Sequence, residues 1–258
     1  MTKPVAEILA QTLDNHGVDC IYCVPGESFL PLTNALRDRP HMKLVVCRHE
    51  GGAGFMAVSH ARVRGEPGVC LVSRGPGAMN AAIAFHVAYH DAEPVVFLIG
   101  QAERDELNRL ALQEMNYAKT FSDTAKAVIE VIHNDNIADD CARAFHIAQS
   151  GTPGPVALIL PEDLLYGDCV AAAAKPRAPS KPGVNPDQMA EALNLIRNAE
   201  RPIVIPGGRL HGEGLADLQR FAEEFNLPVA VPQRRFHAFD SKHKNAGGRL
   251  PNRANKAL

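Results

Sequence analysis

Short apolar runs alternate with helix-compatible stretches along much of the chain, and this alternation limits the fold most strongly. Length and β-branched content predict six buried strands, at 19–24, 43–47, 69–73, 94–100, 127–131 and 155–160. The stretches between them predict helices at 28–37, 52–64, 77–90 and 137–149. Repeated βα units with short connections predict an α/β fold, namely a doubly wound, mainly parallel sheet with helices on both faces.

Residues at the ends of these stretches sharpen the predicted boundaries. Ser28 and Asn136 are expected to cap the N-termini of helices, because their side chains can accept from free backbone N–H groups. Gly65 and Gly151 are expected at helix ends, where a left-handed backbone conformation is common.

A Pro- and Ala-rich segment divides the chain. Residues 171–184 hold three prolines and predict an extended, semi-rigid linker between a first domain at 1–170 and a second at 185–258. The second domain predicts helices at 186–199 and 214–225, strands at 202–205 and 228–231, and the turn Pro206-Gly207-Gly208. Two strands leave a sheet largely uncovered, so this domain is expected to be an incomplete α/β unit.

Composition and charge exclude several classes of protein. The net charge of −2 provides no basic surface for nucleic acid or anionic lipid, so a small-molecule partner is expected. No leader or membrane-spanning run is evident, and a cytoplasmic protein is predicted. The six cysteines lie mostly in strand-like runs and are expected to be reduced. The Cys20-x-x-Cys23 spacing has no second pair, so no metal site is predicted.

Loops at the predicted strand ends carry the residues that can do chemistry. Carboxyl ends of parallel strands meet at one edge, where α/β sheets bind ligands. Glycine allows the backbone to approach a flat ligand, and proline stiffens the turn. Glu50 follows the second strand. The other candidates follow the first, third and fourth strands and are Pro25, Gly26, Ser73, Pro76, Gly77, Asn80 and Gln113.

These motifs, in this order, resemble the N-terminal, pyrimidine-binding domain of thiamine-diphosphate enzymes of the acetolactate synthase, benzoylformate decarboxylase and pyruvate oxidase group. The resemblance covers residues 1 to about 170, and the following segment resembles the start of the central domain of that group. Three segments are most similar to acetolactate synthases: Arg74-Gly-Pro-Gly77, Gln113-Glu114 and 150–155, Ser-Gly-Thr-Pro-Gly-Pro.

The resemblance assigns roles to the candidate residues. It implies that Glu50 is catalytic and hydrogen-bonds a ring nitrogen of the aminopyrimidine, which favours the imino tautomer. Val45, Val46, Ala53 and Phe55 are expected to keep this carboxyl dry. The cofactor-binding set implied is Pro25, Gly26, Glu50, Ser73, Pro76, Gly77 and Asn80, with Gln113 on the substrate side.

Local explanations exist for the same residues. Glu50 suits a first helical turn, where the helix dipole stabilises an acid by a few tenths to about 1 kcal/mol. Asn80 could cap a helix, and His49 could be fixed by local backbone bonds instead of relaying a proton. The family often has an acid where this chain has Val58, which leaves the particular activity open.

The implied activity is that of a thiamine-diphosphate-dependent 2-oxo acid decarboxylase or carboligase, a lyase or transferase acting on a 2-oxo acid or acyl substrate. In the family, Mg²⁺ and the diphosphate are bound by a Gly-Asp-Gly segment and a later Asn. Here Gly167-Asp168-Cys169 lacks the second glycine, so the chain is expected to hold only the pyrimidine half of the cofactor and to be inactive alone. A flavin has no support.

Three explanations of such a half-site stay open. The chain could be a fragment of a longer enzyme, or one subunit of a split enzyme whose partner carries the diphosphate domain. It could instead be a catalytically silent nucleotide-binding or regulatory module, which Pro206-Gly207-Gly208 weakly favours. A homodimer or homotetramer is expected, because family active sites lie between subunits and the pyrimidine domain should offer an apolar face for pairing.

Overall fold

The computed structural model describes residues 2–179, 183–208 and 210–250. The chain divides into two compact units, Met1–Pro179 and Ser180–Leu258. Each is described by itself.

A six-stranded parallel sheet forms the centre of the first unit. Its strands are β2 (Cys20–Cys23), β3 (Lys43–Val46), β4 (Gly68–Val72), β5 (Val95–Gln101), β6 (Ala127–Glu130) and β7 (Pro155–Pro161). They lie in the order β3-β2-β4-β5-β7-β6. A separate antiparallel pair joins β1 (Lys3–Pro4) to β8 (Asp168–Cys169). All six predicted strands are therefore confirmed, with boundary shifts of one residue at most ends.

The helices of the first unit are α1 (Val5–Asn15), α2 (Leu30–Arg37), α3 (Glu50–Arg64), α4 (Gly75–Asp91), α5 (Tyr117–Thr120), α6 (Ile137–Gln149) and α7 (Glu162–Tyr166). Short 3₁₀ helices at Glu27–Phe29 and Asn134–Asn136 precede α2 and α6. The four predicted helices are present, whereas α1, α5 and α7 were not predicted.

Successive side chains of the sheet point to opposite faces and pack into two apolar layers. Leu71 and Leu98 face the layer that holds α1 and α6, and Cys70 and Phe97 face the layer that holds α3 and α4. Every residue of β5 and of β7 is buried, which is the pattern of strands covered on both faces. The predicted doubly wound α/β fold is confirmed.

Two of the predicted helix caps differ from expectation. Ser28 lies inside the 3₁₀ helix, is buried and makes no capping bond, so its prediction as an N-cap is wrong. Asn136 occupies the position before α6, but its side chain makes no capping bond. Gly65 ends α3 with φ 70°, and Gly151 follows α6 with φ 57°, as their left-handed geometry requires.

The segment before the second unit has no regular secondary structure but is attached to the first unit. The backbone N–H of Ala174 donates to Thr12 Oγ1 at 3.2 Å, and its carbonyl accepts from Asn15 Nδ2 at 2.9 Å. Arg177 forms an ion pair with Asp139. The first part of the predicted linker, up to residue 179, thus packs on α1 and α6, and its residues 180–182 lie outside the described part of the chain.

The second unit contains α8 (Pro186–Asn198), α9 (Glu213–Glu224), β9 (Val229–Pro232) and β10 (Ala246–Leu250), with a 3₁₀ segment at Gln233–Ala238. Strands β9 and β10 pair in parallel, and β10 was not predicted. The predicted strand at 202–205 is reduced to one bridge, between Val204 and Val229. Among the described residues, no helix is both long and apolar enough to cross a bilayer.

Candidate functional site

The connection of the strands creates a switch point between β2 and β4. These strands are neighbours, yet the chain leaves β2 towards β3 and leaves β4 towards β5. Ligands of open α/β sheets bind at the carboxyl ends of strands where the direction of winding changes. Pro25-Gly26 follows β2 and Ser73 follows β4, so both turns lie at this point.

Glu50 is the first residue of α3, directly after the edge strand β3 and its short loop. Asn80 Nδ2 on α4 donates to Glu50 Oε2 at 2.9 Å. Within the described part of the chain, Oε1 has no hydrogen-bond donor, and a Cβ on Gly77 would lie 3.4 Å from it. Glycine at 77 therefore keeps space open beside the second carboxylate oxygen.

Close packing between α3 and α4 brings Glu50 and Asn80 within hydrogen-bonding distance. One turn further along each helix, Gly54 faces Ala84, and a Cβ on Gly54 would lie 2.5 Å from Ala84 Cβ. Asn80 is inside α4, so the alternative that it caps a helix is wrong. His49 Nδ1 accepts from the backbone N–H of Gly51 at 3.0 Å and caps α3, which agrees with local fixation of His49.

The two turns at the switch point touch each other. A Cβ on Gly26 would lie 2.6 Å from Ser73 Cβ, so this approach requires glycine. Ser28 Oγ and Ser73 Oγ are 3.1 Å apart and share a hydrogen bond. Gly77 adjoins Ser73 as well, with its ideal Cβ position 3.5 Å from Ser73 Cβ. Gly26, Ser73, Gly77, Glu50 and Asn80 thus form one continuous set of neighbours.

Gln113 joins this set through its backbone. A Cβ on Gly75 would lie 2.7 Å from the carbonyl oxygen of Gln113, whose φ is 61°. Glu114 holds the loop, because its carboxylate accepts from the N–H of Asn108 at 2.6 Å and of Ala111 at 3.0 Å. Such backbone bonds lower the pKa of Glu114. The Gln113 side chain is exposed, as are Pro25 and Pro76.

The expected dry setting of Glu50 is only partly present. Ala53 is fully buried and Val45 is half-buried, but Val46 is 61% exposed and Phe55 is 39% exposed. The prediction that Val46 and Phe55 shield the carboxyl is wrong for the chain alone, because β3 is an edge strand and Phe55 lies on the outer side of α3.

Other predicted features lie away from this set. No group of three or more His, Cys, Asp or Glu among the described residues is arranged to hold a metal ion. The six cysteines are free thiols, and burial raises the pKa of Cys23 to about 11. In the second unit, a Cβ on Gly208 would lie 2.5 Å from Arg235 Nη2, so a guanidinium covers this part of the Pro206-Gly207-Gly208 turn.

The sequence prediction missed two residues beside the site. Ser28 was expected to be a cap but bonds Ser73, and Arg74 was treated only as part of a motif. Arg74 is 7% exposed and lies between Ser73 and Gly75. The sequence does contain a signal for Arg74. An arginine that follows a strand and precedes a glycine turn, with Glu27 in the neighbouring loop, indicates a buried ion pair.

Comparison with known proteins identifies the family of the chain. The model described as "Thiamine pyrophosphate enzyme, N-terminal TPP binding domain" matches residues 3–120, and "Thiamine pyrophosphate enzyme, central domain" matches residues 189–258. The chain belongs to the family of thiamine-pyrophosphate (thiamine-diphosphate) enzymes.

Within that family the chain is similar to acetolactate synthases. It is 35% identical over 246 residues to "Acetolactate synthase" of Mycobacterium bovis, covering 93% of this chain and 40% of that protein. It is 33% identical to "Acetolactate synthase isozyme 3 large subunit" of Escherichia coli, with 95% and 44% covered. A "Probable acetolactate synthase large subunit" of Methanocaldococcus jannaschii is 32% identical, with 98% and 44% covered. The chain therefore spans less than half the length of these relatives.

Proposed function

We propose that this chain supplies the pyrimidine half-site of a thiamine-diphosphate-dependent decarboxylase or carboligase that acts on a 2-oxo acid or acyl substrate. One observation carries the proposal: Glu50 lies beside the switch-point turns with Oε2 held by Asn80 and with glycine beside Oε1. Similarity to acetolactate synthases supports the reaction class.

The residues present fit an aminopyrimidine ring. Glycine at 26 lets the two turns meet, glycine at 77 leaves the space beside Glu50 Oε1 free of a side chain, and prolines at 25 and 76 stiffen the two turns. Ser73 is held by its hydrogen bond with Ser28 and lies between the two turns. Bound thiamine diphosphate supplies the electron sink for breaking the bond next to the 2-oxo carbon.

The amide of Asn80 fixes the orientation of the Glu50 carboxyl group, so that Oε1 would share a proton with a ring nitrogen of a bound aminopyrimidine. A hydrogen bond of this kind is stronger where water is excluded. Gln113 would face the substrate, since its backbone is seated against Gly75 on the same edge of the sheet. The diphosphate and its Mg²⁺ would be bound by a separate segment or by a partner chain.

A second copy of the chain, or such a partner, would complete the dry setting. Helices α3 and α4 carry apolar side chains that are partly exposed, namely Phe55 at 39%, Met56 at 47%, Met79 at 48% and Ile83 at 57%. Exposed apolar residues on two packed helices favour an association surface. We therefore include a homodimer or larger homo-oligomer in the proposal. Free thiols support a reducing, cytoplasmic location.

The test replaces Glu50 and measures binding of the aminopyrimidine half of thiamine by NMR titration of the full chain. Glu50→Gln removes a charge-assisted hydrogen bond worth about 1.5–3 kcal/mol, so the Kd should rise roughly tenfold or more. Glu66→Gln is the matched control, because Glu66 is exposed and precedes the opposite end of β4. Shifts are expected at Gly26, Gly51 and Gly77.

The same variant in the assembled holoenzyme should slow exchange of the thiazolium C2 proton of bound thiamine diphosphate. Exchange at the wild-type rate, with unchanged pyrimidine affinity, would contradict the catalytic role of Glu50. Absence of pyrimidine binding by the unaltered chain would favour a catalytically silent nucleotide-binding module instead.

A further inference from the structure

Arg74 forms a buried ionic connection at the edge of the sheet that carries the site. Its side chain is 8% exposed; Nη2 donates to Glu27 Oε1 at 2.6 Å, and Nη1 lies 3.2 Å from Glu162 Oε2. Its Nε is buried without a partner within the described residues. Burying an N–H group without a hydrogen-bond partner costs free energy. An apolar side chain would fill this position without that cost, so the two ion pairs are a better explanation for an arginine here than packing alone.

The two carboxylates come from different strand ends. Glu27 directly follows Gly26 after β2, and Glu162 directly follows β7. Strand β5 lies between β4 and β7, and its Gly100 faces this connection, since a Cβ there would overlap Ser28 and lie 3.6 Å from the Arg74 backbone nitrogen. Arg74 thus joins the ends of β2, β4 and β7 across a strand that carries no side chain at this point.

The carboxylates are not equivalent. Glu162 is 20% exposed and anchors the guanidinium from inside, whereas Glu27 is 64% exposed and lies in the turn that bounds the site. The forked guanidinium can bond both at once, which a lysine ammonium at the end of a flexible stem cannot do in the same geometry. Arg74 therefore ties the exposed turn that carries Glu27 to the mostly buried Glu162.

We propose that Arg74 is a positioning residue that sets the width of the pyrimidine site by holding the 25–28 turn, through Glu27, against the Ser73 turn. The proposal rests on the proposed function for its consequence in ligand binding. Its structural part concerns the turn alone and can be measured without a ligand. The Ser28–Ser73 hydrogen bond is a second, weaker connection between the same turns.

Hydrogen–deuterium exchange of the ligand-free full chain tests the structural part. In Arg74→Met, the amides of residues 27–30 should exchange roughly tenfold faster, because local opening of the turn costs less. Arg74→Lys should show an intermediate increase. Glu27→Gln leaves the buried anchor intact, so it should accelerate the same amides about threefold with an unchanged thermal midpoint.

Arg143→Gln is the control, since Arg143 is 51% exposed and pairs with Asp140, one turn earlier in the same helix α6. It should leave the 27–30 amides unchanged. Wild-type exchange at 27–30 in both Glu27→Gln and Arg74→Lys would overturn the proposal, even if Arg74→Met failed to fold.

NMR titration with the aminopyrimidine half of thiamine tests the functional part. Glu27→Gln and Arg74→Lys should weaken binding about threefold to tenfold, and Arg143→Gln should not. Faster exchange with no effect of Glu50→Gln on binding would refute the proposed function but leave Arg74 as the restraint on the turn. Unchanged exchange together with weakened binding in Glu50→Gln would refute the role of Arg74 alone.

Discussion

A methyl group placed between α3 and α4 should disturb the site carboxylate from one helical turn away. Gly54→Ala would put a Cβ 2.5 Å from Ala84 Cβ, whereas carbon atoms in contact prefer about 3.5–4.0 Å. The helices must therefore separate locally by about 1–1.5 Å. A comparable displacement of Asn80 would take its 2.9 Å bond to Glu50 beyond hydrogen-bonding distance.

Two opposing effects decide how much Gly54→Ala changes the free energy of unfolding. Overpacking costs about 1–3 kcal/mol. Replacing a helical glycine with alanine contributes up to about 1 kcal/mol of stability. Gly52→Ala is the matched control, because Gly52 lies in the same helix with no atom within 4 Å of its ideal Cβ position. Gly54→Ala should therefore be less stable than Gly52→Ala by about 1–3 kcal/mol.

Denaturant unfolding of the full chain measures the difference, and pyrimidine titration measures the effect on the carboxylate. Ala84→Gly should restore both in the double variant, because it removes the opposing methyl group. The reasoning fails if Gly54→Ala is as stable as Gly52→Ala and binds the pyrimidine equally well.

Three further results are expected. Gly75→Ala should weaken proteolytic protection of the 103–116 loop, because its Cβ would lie 2.7 Å from the Gln113 carbonyl; unchanged cleavage would contradict that contact. Hydrogen bonds from backbone N–H groups lower the pKa of the Glu114 carboxyl group. The stabilisation of the loop by these bonds is therefore complete above the ordinary pKa of glutamate, and it is lost as the pH falls through the lowered pKa. Limited acid proteolysis should show this loss, and Glu114→Gln should remove the pH dependence. Cys141, fully buried with a raised thiol pKa, should resist alkylation in the native chain, whereas the half-buried Cys20 and Cys47 should react first in a mass-spectrometric time course.

Much of the first unit follows from local patterns. Continuous apolar runs locate the strands because both faces of the sheet are covered, and β5 and β7 are buried throughout. Helix α1 was missed, although its Ile8 and Leu9 are buried, because only the tertiary structure shows which surface it covers. Strand β10 was missed because its Gly-Gly-Arg sequence has little strand propensity.

The site was predictable as residue types at strand ends, but not as contacts. Glycines and prolines after β2 and β4 indicate close-approach turns, and their positions after parallel strands predict that they lie at the same edge of the sheet as Glu50. The Asn80–Glu50 hydrogen bond, the Ser28–Ser73 pair and the burial of Arg74 depend on how strands and helices pack across long sequence separations. The roles of the predicted cofactor residues stay predictions.

Strand β3, which leads to Glu50, is paired on one side only, through four residue pairs with β2. Edge elements with few buried contacts open at lower free energy than the centre of a domain. Heating should therefore release the approach to the carboxylate before β5 and β7 separate. Loss of pyrimidine binding and loss of fold would then be two thermal events, and between them a chain that still has the circular dichroism of the folded state would no longer bind the pyrimidine.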